Sequence, residues 1–141
     1  STIGGASIVG RLTMGAANDR IGGKRSLIIC FSILMCGFFC LLTARGTWML
    51  FVFAIVYGFA HGGFFTVMSP TVAELFGTVS HGALFGIVLF CGTIGAAAGP
   101  ILAGYTFDLT GSYQPIFMAM TGLLAVGFSL VFLLRPVAGV K

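Results

Sequence analysis

Long apolar runs, with nearly every charge confined to the short gaps between them, constrain this chain more than any other feature. Five runs can be read, at about 1–18, 26–44, 48–70, 82–107 and 114–134. Most are near the ~20 residues a helix needs to cross a hydrocarbon layer ~30 Å thick. Of 141 residues, 58% are hydrophobic, 15 are Phe and only 7% carry charge. A soluble domain has about a quarter of its residues charged, so water could not cover this surface. Backbone groups in lipid must find partners within a helix or a closed barrel. The runs lack the alternation of a barrel strand, which leaves an all-α membrane protein with five transmembrane helices. Pro115 falls in the first turn of the last run, where a missing N–H does least harm.

The charges set an orientation. Arg20, Lys24, Arg25, Arg135 and Lys141 fall on one side of a five-span chain, and Arg45 on the other. Basic residues collect on the cytoplasmic side, so the 19–25 loop and the C-terminus are expected there, in a cell membrane of the inner or plasma type. Trp48, Tyr105 and Tyr113 mark the opposite ends of their runs, as interfacial aromatics do. The first run opens at Ser1 without an initiator methionine, and its 18 residues give ~27 Å of helix, barely enough to cross. The chain therefore reads as a piece whose N-terminal portion is missing.

Small residues punctuate two runs. Gly95, Gly99 and Gly104 surround Pro100 in the fourth, and Gly58, Gly62 and Gly63 surround His61 in the third. Small residues at four-residue spacing let helix backbones approach closely, and a mid-span proline removes a donor and bends its helix. The plain reading is tight packing. The combination also suits helices that must move against each other.

The segment GRLTMGAANDRIGGKR, residues 10–25, holds four of the chain's seven basic residues. Arg11 stands apart, eight residues before Asp19 and hence ~12 Å from the end of its helix, near the bilayer midplane. A charge there costs ~2.5–3.5 kcal/mol on insertion scales, so Arg11 is expected to face a wet cavity and bind something. Asp19, Glu74 and Asp108 all lie at span ends, and a substrate carboxylate would supply the absent partner through a bidentate pair. Snorkelling to the interface and pairing with an acid in the missing portion are the other two roles open to it. His61 is the second candidate substrate-binding residue. Its ordinary pKa of ~6.5 suits a proton carrier, and a cavity-lining hydrogen bonder fits equally.

The remainder of that segment resembles the loop motif of the major facilitator superfamily, G-x(3)-D-R-x-G-x-[KR]-[KR]. Gly15, Asp19, Arg20, Gly22, Lys24 and Arg25 match it position by position. AELFGTVSHGALFG is similar to the connection before the eleventh helix of that family, with Glu74 as the acid and His81 where a basic residue is commoner. GPILAGYTFDLTGSYQPIF resembles the outer end of the eleventh helix in monocarboxylate and oxalate–formate carriers. The resemblance covers the eighth to twelfth helices and implies most of a C-terminal six-helix bundle. It implies that Asp19, the basic cluster and Glu74 form contacts that close a cytoplasmic gate, and that Arg11 contacts an anion. In the carriers it resembles, an Asp stands one turn before that arginine, whereas here Ser7 does.

Other chemistries find little support. Cys30, Cys36, Cys40 and Cys91 lie within runs and show no metal-ligand spacing. No Walker-type loop is present for ATP coupling, no soluble basic surface suits nucleic acid, and no cofactor is implied. An intramembrane enzyme would need nucleophiles, metal ligands or paired acids inside the spans, and the runs do not offer them. The expected function is that of a fragment of a secondary active transporter moving a small organic anion by alternating access. Its partners would be the lipid bilayer, the missing half, the solute, and a coupled proton or counter-anion. A carrier of non-anionic solutes or drugs, or a truncated fragment without autonomous activity, is the alternative.

Overall fold

The computed structural model describes residues 2–135, so Lys141 of the expected basic tail lies outside the described residues. Five helices follow in order: α1 (Thr2–Ile21), α2 (Gly23–Leu42), α3 (Thr47–Phe76), α4 (His81–Thr110) and α5 (Gln114–Leu133). Four of them, α2 to α5, are long and apolar enough to cross a membrane. With Arg11, Asp19 and Arg20 in its sequence, α1 is not among those four. Its place in the bundle rests on packing against α3.

The helix ends differ from the sequence expectation in instructive ways. The expected 19–25 loop is a single residue: α1 continues through Asp19 and Arg20 to Ile21, and α2 starts at Gly23. Gly22 makes this joint at φ 87°, a conformation that costs a residue with a Cβ far more than glycine. The third helix does not close at Ser69-Pro70 but runs on to Phe76. A proline can be carried within a membrane helix where neighbouring groups compensate for the freed backbone, and α3 passes through Pro70 without a break. The fourth helix likewise passes through Pro100.

Close approaches give the relative directions. Ile3 lies against Gly58, Ser7 against Gly62 and the Thr66 methyl near Gly15, so α1 and α3 run parallel. Gly37 meets Phe53 and Val56 while Gly23 meets Thr71, so α2 is antiparallel to α3. The core gathers Met14, Leu27, Cys30, Val67 and Val131 where α1, α2, α3 and α5 meet. By contrast, α4 buries no residue. Large apolar side chains such as Leu12, Ile101 and Leu123 point outward. That is the pattern of a bundle solvated by lipid rather than water.

Candidate functional site

The α1–α3 interface is built from missing side chains. A Cβ on Gly58 would come within 2.7 Å of the Ile3 carbonyl oxygen, and one on Gly62 would collide with the backbone of Ser7. One on Gly10 would collide with the Phe59 backbone. Backbones therefore touch along this seam, which is the role of glycine between helices in lipid. The packing expected of Gly58, Gly62 and Gly63 is thus present, with Gly63 seated on Met14.

This seam sets the two candidate binding residues on adjoining helices at similar height. Arg11 is the tenth of 20 residues in α1, and His61 is the fifteenth of 30 in α3. Both sit at mid-helix. Ser7, one turn before Arg11, rests on Gly62, the neighbour of His61. Arg11 is exposed on this chain's surface. The three acids all stand at the far ends of their helices, Asp19 on α1, Glu74 on α3 and Asp108 on α4.

His61 belongs to an aromatic ladder on α3. Phe53 stacks on Tyr57 with ring centroids 5.5 Å apart. Tyr57 stacks on His61 at 5.2 Å and 16°, and Phe65 meets the imidazole edge-on at 5.0 Å and 81°. The four-residue spacing of positions 53, 57, 61 and 65 carries this ladder in the sequence. It is legible there as a helical stripe, but the imidazole's place within it is not apparent from hydropathy.

The ladder borders an open cavity of about 710 Å³ between α4 and the faces of α2, α3 and α5. Among the described residues its only polar lining side chains are Tyr57, His61 and Thr93, and the Thr93 hydroxyl is spent on the Leu89 carbonyl at 2.9 Å. Arg11 does not line it. Gly95 and Gly99 do, and a Cβ at Gly95, Gly99 or Gly104 would meet nothing within 4 Å. The helix packing expected of these three glycines does not occur among the described residues, because α4 stands off from its neighbours.

At the basic end, the motif residues form a knot of helix termini. The Gly23 N–H donates to the Glu74 carboxylate at 2.7 Å. An N-terminal helical N–H has no partner in its own helix, and a carboxylate there also suits the macrodipole. Glu74 therefore meets α2 through its backbone, where the sequence suggested the basic cluster as partner. Lys24 turns the other way: its ammonium donates to the carbonyls of Leu134 at 2.6 Å and Phe132 at 3.1 Å. It caps the end of α5, a role no motif announces. Asp19, Arg20 and Arg25 remain exposed. Across the α3–α4 turn, the Ser69 hydroxyl and His81 Nε2 are 3.2 Å apart.

Apolar helices of membrane length, with few polar groups at mid-height, define an integral membrane protein. A family model for the Major Facilitator Superfamily matches residues 1–141, and the chain belongs to that superfamily. Among its relatives, monocarboxylate transporter 12 of Rattus norvegicus is 30% identical over 94% of this chain and 27% of its own length. The Homo sapiens form is also 30% identical, over 94% of this chain and 25% of its own length. Monocarboxylate transporter 13 of Rattus norvegicus is 28% identical over 86% of this chain and 29% of its own length. The chain thus spans about a quarter of these relatives. No solved structure matches it.

Proposed function

We propose that these five helices are the eighth to twelfth of a secondary active transporter that carries a small, monocarboxylate-like organic anion by alternating access. The observation that carries this reading is Arg11: a cation at mid-helix, exposed on this chain, with every acid of the chain at a helix end. A planar carboxylate fits a guanidinium through two parallel hydrogen bonds, and sites near the midplane are where such carriers hold their solutes. The relatives named as monocarboxylate transporters point to the same chemistry. His61, at mid-height of the adjoining helix α3, serves as a hydrogen-bonding partner of the anion or as a carrier of the coupled proton.

The knot at Gly22 acts as the inner gate, with Asp19, Arg20, Lys24 and Arg25 on the cytoplasmic face and Glu74 as its latch. The C-terminus lies on that face and the membrane is the cell's own boundary. Activity belongs to the longer protein, in which this chain supplies one wall of the passage. Counterflow of labelled lactate into vesicles holding the full-length protein tests the reading. Exchange that is saturable and inhibited by other small carboxylates supports it, and exchange only of neutral or cationic solutes opposes it.

A further inference from the structure

The imidazole of His61 is boxed along the helix axis. Tyr57, one turn before it, covers one side of the ring in a near-parallel stack at 5.2 Å. Phe65, one turn after it, closes the other side edge-on at 5.0 Å. The terminal torsion of a histidine is broad and weakly held by its own rotamer preferences, so neighbours must fix the ring. Tyr57 is itself held: Phe53 stacks on it at 5.5 Å, and Phe38 of α2 meets Phe53 at 5.7 Å and 76°. The ladder is thereby braced on a second helix. Both ring nitrogens lie in the plane of the imidazole, between the two covered sides. Neither takes a hydrogen-bond partner among the described residues.

We propose that Tyr57 is a positioning residue for His61, holding the imidazole plane by stacking so that its nitrogens stay presented toward the solute. Tyr57 acts through its ring, because its phenol has no hydrogen-bond partner among the described residues. A group fixed before binding forfeits less ordering entropy when the ligand arrives, and sites work when supporting residues lock the contacting ones. Losing one aromatic contact corresponds to a roughly two- to tenfold weakening. This inference rests on the reading of His61 as a solute-contacting residue, so its test has one readout that needs no solute.

The test uses the purified full-length protein. Carbethoxylation of His61 by diethyl pyrocarbonate, followed by mass spectrometry, reports the accessibility of its ring nitrogens directly. Tyr57→Leu, which frees the ring to turn its nitrogens away from the open cavity, should slow modification several-fold, and Tyr57→Phe should leave it unchanged. In lactate counterflow, Tyr57→Leu should raise KM roughly two- to tenfold with little change in maximal rate, and Tyr57→Phe should match the parent. The Tyr57→Leu effect should vanish in a His61→Gln background. An unchanged carbethoxylation rate in Tyr57→Leu would overturn the positioning role. A Tyr57→Phe variant as impaired as Tyr57→Leu would overturn it as well, since the hydroxyl would then be the working group. Normal lactate kinetics in both His61→Gln and Arg11→Ala would instead sink the proposed solute site and leave the carbethoxylation result standing.

Discussion

Glu74, third from the end of α3, accepts the Gly23 N–H at 2.7 Å in the first turn of α2. A carboxylate near the end of its own helix is placed against that helix's dipole, and reaching across to the start of another reverses the sign of the interaction. The bond also closes the Gly22 joint. Glu74→Ala should lower the midpoint of thermal unfolding of the full-length protein by the equivalent of about 1 kcal/mol. Glu74→Gln, which keeps the acceptor and loses the charge, should fall between the two. Equal midpoints for all three proteins would mean that the knot contributes nothing to stability.

Lys24 should behave differently from its basic neighbours. Its ammonium satisfies the last carbonyls of α5, whereas Arg20 and Arg25 are exposed. Lys24→Met should destabilise by about 1 kcal/mol and Lys24→Arg by less, because an arginine still donates to carbonyls. Arg20→Gln and Arg25→Gln should leave the unfolding midpoint almost unmoved. A Lys24→Met protein as stable as the parent would contradict the capping role.

Two glycines at similar sequence spacing should tolerate a methyl group very differently. At Gly62 an added Cβ collides with the Ser7 backbone, while at Gly95 it meets nothing within 4 Å. Gly62→Ala should sharply reduce the yield of monodisperse detergent-solubilised protein, and Gly95→Ala should not. A comparable loss at Gly95 would show that another part of the longer protein packs on that face of α4.

Hydropathy made the class and all five helices legible, because lipid imposes one solution on a long apolar run. Helix ends were less legible. Pro70 and the charges at Asp19 and Arg20 look like loop signals, yet a membrane helix can extend past the hydrocarbon layer and keep its backbone bonds. Of the two glycine clusters, the one around His61 packs and the one around Pro100 meets no neighbour among the described residues. Sequence records that a helix face is small but not which face lies opposite. The Lys24 contact was hidden for a related reason. Its partners are backbone carbonyls, which every residue carries, so only the fold could name Phe132 and Leu134. Ser7 was visible as a departure from the carriers it resembles. Its place against Gly62 shows that a small side chain fits that seam.

The account rests most heavily on Arg11 as the anion's partner at mid-helix. Lysine keeps the charge but loses the two-pronged geometry, so the conservative substitution is the sharper probe. In lactate counterflow by the full-length protein, Arg11→Lys should raise KM by roughly tenfold or more, the cost of exchanging a bidentate pair for a point charge. Arg11→Ala should abolish exchange while the protein still inserts and remains monodisperse. An Arg11→Lys protein with the parent's KM would contradict the bidentate site, and an Arg11→Ala protein with the parent's exchange would contradict the anion-carrier reading itself.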